Sequence, residues 1–457
     1  MPGEVFPVSS PPKAPKSIYK APKQQTSLQL KRVSATIQAR IPENNGIVGS
    51  GPQRSGMGGG EKQLPTELLM TILNFIHDDK ETMRTCCIVS KSWLPCARYF
   101  LITNKFSLTE LNVGRFISLL SSPHATIGAY IYHLAIHTQQ YSILLDQSLS
   151  FINDATSVNW MRPALSISAC LHYIRACSAN TLRSLTLHDI GPLSLTDFGT
   201  LSPLLRSFSS LTRLELSQCL FSTIQEFFAV ICARPNLRRL VLTNIMIQDE
   251  DETITSLPVL QLPRRLSHIT LQTAHQSDIL EWILGQPFIP ALTSLSLGGI
   301  GQSMADQEIT GRFLMSLGAH LKHLKIYLNS WSPAVTLSHN TCLQTFSVSR
   351  YRLNGNSTSD TAGFPGLLTM LDQISSRQLT QITLRFVNNP EDLDVVPWHH
   401  LERLFQRPQF TDLKSLRIRC VGRTQDMRRL VQHMFPRLSH MGIVQFRCDS
   451  DSDNEEE

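Results

Sequence analysis

Between residues 131 and 447, apolar residues keep returning in one frame: an apolar position, a second three residues on, and a third two residues later. The frame occurs at Leu182/Leu185/Leu187, Leu211/Leu214/Leu216, Leu237/Leu240/Leu242, Leu266/Ile269/Leu271 and Leu292/Leu295/Leu297. It continues at Leu321/Leu324/Ile326, Leu343/Phe346/Val348, Leu379/Ile382/Leu384, Leu413/Leu416/Ile418 and Leu438/Met441/Ile443, with a weaker first copy at Ile131/Leu134/Ile136. From the copy at 182 the intervals are 29, 26, 29, 26, 29, 22, 36, 34 and 25 residues, which marks a repeat array. The 51 residues between the first two copies are close to twice 26, so a degenerate copy is expected there. Alternation at the end of each frame predicts a half-buried strand. Helical spacing returns between frames, as at Ile224/Phe227/Phe228/Ile231, Ile279/Trp282/Ile283, Phe313/Leu314/Leu317, Leu367/Leu371/Ile374 and Met427/Leu430/Val431/Met434. Each unit is then one strand and one helix. Neither buries its apolar face alone, so the units must stack. The expectation is a parallel sheet on a concave side with helices outside. Eleven strands at ~4.8 Å spacing make a ladder roughly 50 Å long.

Residues 61–106 follow a different pattern. Leu68, Leu69, Ile72, Leu73 and Ile76 fall on one helical face, started by Pro65 and Thr66. A polar turn, His77 to Lys80, precedes Met83, Cys86, Cys87 and Ile88, and the chain enters Val89-Ser90-Lys91-Ser92-Trp93. A segment of about 45 residues with so much apolar face makes no stable core alone, which predicts a partner.

Composition agrees with a long folded array. Of 457 residues, 42% are hydrophobic and 17% charged, which excludes overall disorder. The formal charge is +6. Residues 1–60 carry eight basic and two acidic residues among many Pro and Gly, and are expected to form a disordered basic tail. Lys13, Lys16, Lys20, Lys23, Lys31 and Arg32 there suit either a solvated tail or a nuclear import signal. Residues 448–457 carry six acidic and no basic residues and are expected to be a disordered acidic tail, with Ser450 and Ser452 in acidophilic kinase context. The stretch between the tails has too weak a basic surplus for a dedicated nucleic-acid binder. No run of 18 apolar residues predicts a membrane span, and the opening residues do not read as a signal peptide. Ten cysteines without a Cys-x-x-Cys pair, several inside apolar runs, read as buried thiols of a reduced protein. The expected location is cytoplasmic, nuclear or both.

Catalytic signatures fail on their own chemistry. Gly51 to Gly56 has the glycines of a phosphate loop, but Met57 stands where the lysine belongs and no strand precedes it. The acidic stretch from Asp449 lacks the turn glycine of a calcium loop. No Gly-x-Ser-x-Gly or His-Glu-x-x-His occurs, and His320, His323, His399 and His400 read as structural. The expectation is a non-enzyme with no cofactor or metal.

Two resemblances meet in this chain. Residues 131–447 resemble leucine-rich repeats, best in Leu211-Thr-Arg-Leu-Glu-Leu-Ser-Gln-Cys-Leu-Phe221. Cys219 holds the turn-bonding position, where other copies have Ile190, Ile245, Ala274 and Ile300, so an irregular solenoid is implied. Residues 62–101 resemble an F-box, through Leu64-Pro65-x-Glu67-Leu68-Leu69, Ile72-Leu73 and Val89-Ser90-Lys91-x-Trp93. The turn at His77-Asp78-Asp79-Lys80 is longer than in that family and lacks its Pro. Residues 116–136 look like the connector of fungal F-box proteins, which places connector and solenoid at 107–447. The resemblance implies the substrate-recognition subunit of an SCF-type cullin-RING ubiquitin ligase. Leu64, Pro65, Leu68, Leu69, Ile72, Val89 and Trp93 would bind a Skp-type adaptor, and the repeats would bind a protein substrate. The alternative is a leucine-rich-repeat scaffold without ubiquitin transfer.

Positions three, five and seven of each repeat point away from the leucine core. Arg213, Arg239, Lys325, Arg385, Arg417 and Arg419 stand there against one acid, Glu215. So do His133, His137, His188, His268, His323 and His440, six histidines where composition predicts about one. That face is expected to bind an acidic or phosphorylated segment, more tightly as pH falls below about 6.5, with the acidic tail as competitor.

Overall fold

The computed structural model describes residues 64–103, 106–109, 111–122, 127–137, 167–190, 196–249, 260–299, 303–327, 335–351, 363–386, 398–421, 435–440 and 442–449. The expected basic tail, most of the acidic tail, the degenerate copy after residue 137 and the helix at 427–434 lie outside these residues.

The described chain begins with three helices, α1 (Thr66–Phe75), α2 (Lys80–Val89) and α3 (Trp93–Thr103). Asp79 resolves the unusual turn. Its Oδ1 accepts from the N–H of Glu81 and Thr82, both at 3.1 Å, so it caps α2. The bonds from Thr82 hold its carboxyl below the ordinary carboxylate value. Val89-Ser90-Lys91-Ser92-Trp93 forms the second turn, in which Ser90 Oγ accepts from the N–H of Ser92 at 3.2 Å. Leu69, Leu73, Met83, Cys86, Cys96 and Ala97 form the small core of this module.

Beyond it, twelve strands form one parallel sheet. These are β1 (Phe106–Thr109), β2 (His133–His137), β3 (Ser184–His188), β4 (Arg213–Ser217), β6 (Arg239–Thr243), β8 (His268–Gln272), β9 (Ser294–Gly299), β10 (His323–Tyr327), β11 (Thr345–Tyr351), β12 (Gln381–Phe386), β13 (Ser415–Val421) and β14 (Val444–Asp449). They lie side by side in that order. Two short strands on the flank, β5 (Leu220–Thr223) and β7 (Met246–Asp249), pair with each other. Among the described residues, nine more α-helices join the strands: α4 (Val113–Leu120), α5 (Ile167–Ser178), α6 (Thr196–Ser207), α7 (Ile224–Ile231), α8 (Gln276–Leu284), α9 (Met304–Leu317), α10 (Gly363–Asp372), α11 (Trp398–Leu404) and α12 (Pro436–His440). The fold is the expected α/β solenoid. None of the described helices is long and apolar enough to cross a membrane.

The leucine frame is the core. Leu185, Leu214, Leu240, Ile269, Leu295, Leu324, Phe346, Ile382 and Leu416 are register partners from strand to strand and all are buried. Leu240, at 2% exposure, settles the register. Each junction repeats one device: the carbonyl at the second position of a unit accepts two N–H groups of the next unit. Tyr132 O takes Arg183 and Ser184, Arg183 O takes Thr212 and Arg213, and the fork recurs as far as Thr380 O with Lys414 and Ser415.

Three features depart from the sequence reading. The sheet has a twelfth strand, β1, at the edge where only a connector is expected. The last frame is displaced. Pro436 opens α12 and Gly442, at φ 68°, ends it, so the strand starts only at Val444, which pairs with Leu416. His440 therefore lies on a helix instead of the sheet face, and Cys448 and Asp449, expected in the acidic tail, belong to β14. Finally, the turns after β3, β4 and β6 use the backbone. Asp189, Gln218 and Asn244 adopt left-handed φ values of 57°, 54° and 49°. Each donates its N–H to the neighbouring unit, to Ser217 O, Thr243 O and Gln272 O. Cys219 also serves, its Sγ 3.4 Å from Ser217 O and its thiol pushed up to about 12 by burial.

Buried polar side chains latch one unit to the one before. Arg234 donates through Nη1 to Arg206 O at 2.6 Å and through Nη2 to Ser209 O at 2.7 Å. Ser376 Oγ donates to Leu343 O at 2.7 Å. Asn340 Nδ2 donates to Leu314 O at 2.9 Å and Gly318 O at 3.1 Å, closing the end of α9 in a unit with no helix among its described residues. Asn340→Ala removes a buried donor from both carbonyls, of which Leu314 O keeps the N–H of Gly318, and is expected to cost about 1 kcal/mol, read as a lowered denaturant midpoint.

Candidate interaction surfaces

The first surface is the outer stripe of α1. Leu68, Ile72 and Phe75 recur at helical spacing and line one side of the helix, and Leu64 lies just ahead of its first turn. Leu64 and Pro65 are exposed, Leu68 is 52% exposed and Ile72 is half-buried. Leu69, expected beside them, is instead 2% exposed and belongs to the module's own core. The reason is geometric: Leu68 and Leu69 are adjacent, about 100° apart around the helix, and only one can face α2 and α3. Trp93 is half-buried against that core and Val89 is exposed. Phe75, 84% exposed, and Ile88, 83% exposed, add apolar area that the sequence reading missed. For Phe75 the signal was there, three residues past Ile72 on the same stripe.

The second surface is the open face of the sheet. Arg213, Arg239, Lys325, Arg385, Arg417 and Arg419 occupy strand positions that alternate with buried apolar residues, on the side away from the core. They do not form one continuous groove. Arg213 and Arg239 are register partners on β4 and β6. Arg385 and Arg419 are partners on β12 and β13. Arg417 Nε donates to Gln445 Oε1 at 3.2 Å. Lys325 lies between the two groups, its Nζ 5.3 Å from the centre of the Tyr327 ring.

Glu215 is tied into the first group. Its Oε2 accepts from Arg213 Nη2 at 3.0 Å and from Thr186 Oγ1 at 3.3 Å. Arg183, exposed just before β3, lies over the Tyr132 ring at 5.2 Å. Burial, then Arg213 and Arg183, hold the His133 imidazole below its ordinary 6.5. Burial, then Arg239 and His323, do the same to His268. These two histidines therefore charge at lower pH than the sequence reading expects. Unfolding returns them to their ordinary value. The fold should therefore lose stability as pH falls through 6.5, the loss levelling off below the folded values. Denaturant midpoints measured across the imidazole range check the sign.

No protein-family model and no curated protein matches the chain. Among solved structures, the chain is similar to the crystal structure of the Rad7 and Elc1 complex in yeast, at 11% identity and a TM-score of 0.39, covering 95% of this chain and 100% of that one.

Proposed function

We propose that this chain is the substrate-recognition subunit of an SCF-type cullin-RING ubiquitin ligase and is not itself an enzyme. The observation that carries the reading is the apolar stripe Leu64, Leu68, Ile72 and Phe75, left open on a helical module with only a small core of its own. Exposed apolar area of that kind favours a protein partner. In the F-box reading the partner is a Skp-type adaptor, reached through Leu64, Pro65, Leu68, Ile72, Val89 and Trp93. The sheet face then holds the substrate. Catalysis belongs to other subunits, and the contribution of this chain is effective concentration, holding substrate lysines beside the charged conjugating enzyme. The setting is the cytoplasm or nucleus.

Affinity purification of the full chain from cells should recover a Skp-type adaptor and cullin, and deletion of residues 64–103 should abolish both. Blocking the cullin pathway should make a bound partner accumulate. Recovery of partners without adaptor, and without their ubiquitination, would instead establish a scaffold.

A further inference from the structure

We propose that Arg213 and Arg239, side by side on β4 and β6, bind a single phosphorylated side chain of a partner protein, with Glu215 as a built-in competitor. The two arginines are direct register partners, so their Cα atoms sit one strand spacing apart on the same face. Like charges in that position are unfavourable unless an anion lies between or above them. One carboxylate serves the pair, and it is shared: Glu215 Oε2 takes Arg213 Nη2 and also Thr186 Oγ1. Arg213 Nε is buried and has no hydrogen-bond partner among the described residues. Burial, then the charge of Arg213, push the Arg239 guanidinium down, and Glu215 opposes them in part. A phosphate dianion meets this surplus. Its oxygens accept parallel N–H bonds from guanidinium forks, which a lone carboxylate on the same strand cannot match for both arginines.

The extent of the patch selects the ligand. Along that row Arg213 is preceded by Ser184 on β3, and Arg239 is followed by His268 on β8 and Ser294 on β9. The next expected cation, Lys325, is three strands past β6, roughly 14 Å away at ordinary strand spacing. A nucleic acid needs cations at successive phosphates along its path; this cluster, the pair with Arg183 and Arg238 exposed beside it just ahead of the strands, is compact and suits one phosphoserine or phosphothreonine. His268 reports on the site. The groups facing it are Arg239 on β6, Ser294 on β9 and, one strand further, His323 on β10, with Ser267 Oγ 2.8 Å from its Nδ1. A bound dianion offsets the field of Arg239 and raises the pKa of His268, so proton uptake accompanies binding.

The identity of the partner rests on the substrate-receptor reading, but the site itself is measured on the chain alone, without adaptor. The full chain is titrated with O-phosphothreonine, with threonine as control, while histidine ring signals and the melting temperature are recorded. Phosphothreonine should raise the pKa of His268 and the melting temperature, and threonine should do neither. Arg239→Gln should weaken binding by about tenfold or more, since it removes a charge-assisted contact. Glu215→Gln should strengthen it, a gain that misfolding would not mimic. Arg417→Gln with Arg419→Gln should leave it unchanged. Equal responses to both amino acids, weaker binding in Glu215→Gln, or preferential binding of a single-stranded oligonucleotide would each overturn the proposal. Loss of adaptor capture with phosphothreonine binding intact would count against the ligase reading alone.

Discussion

Phe228→Ala is expected to lower the unfolding free energy by about 3–5 kcal/mol. Phe228 is fully buried on α7 and stacks on Trp282 of α8, with ring centroids 3.9 Å apart and planes 21° from parallel. The Phe227 ring lies 5.3 Å from it and in turn meets Phe221. Removing the ring opens a cavity between the units of β4 and β8, which flank the β6 unit, in a core that runs unbroken from Leu108 to Leu438. Loss should concentrate near the cavity, because stacked repeats couple mainly to their neighbours. Hydrogen exchange should quicken first in β4, β6 and β8 and last in β13. Uniform acceleration over the whole sheet would contradict nearest-neighbour coupling.

Replacing Leu64 and Leu68 together by Asp is expected to reduce adaptor capture by about tenfold or more, since each carboxylate would have to be desolvated in the contact. Both residues are exposed in the free chain, so the melting temperature should hardly move. Leu69→Ala is the contrast. It empties part of the module's own core and should cost about 2–5 kcal/mol, with any loss of adaptor following from unfolding. Unaltered capture by the double Asp variant would remove the stripe from the interface.

The solenoid was legible because its signal is periodic and redundant. Ten of the leucine frames coincide with strands at the expected register, from Ile131/Leu134/Ile136 on β2 to Leu413/Leu416/Ile418 on β13. The eleventh failed where local chemistry overrode period: Pro436 and Gly442 carve out a helix inside the frame. β1 was invisible because four residues carry too little pattern, and its place comes from pairing with β2. The left-handed residues Asp189, Gln218 and Asn244 were missed because none is glycine. Polar side chains tolerate that region, and inter-unit bonds hold them there.

The surfaces were less legible. Periodicity put Leu68 and Leu69 on one face, yet which of two adjacent leucines turns outward depends on where α2 and α3 pack. The basic residues were found, but their division into separate groups follows from strand order, which brings Arg213 beside Arg239 and puts Lys325 three strands past them.

Leu101, on α3, packs against the small core of the helical module and against the long core of the solenoid. Tyr99 beside it meets Tyr130 and Tyr132 edge-on, each at 6.5 Å. A residue shared by two cores is a rivet and not a hinge, because swinging one part against the other would open both. The chain then works as a ruler. Whatever α1 grips and whatever the sheet face grips are held at a constant spacing and bearing. On the ligase reading, a lysine on the bound partner would be selected by its distance from the grip and not by the sequence around it.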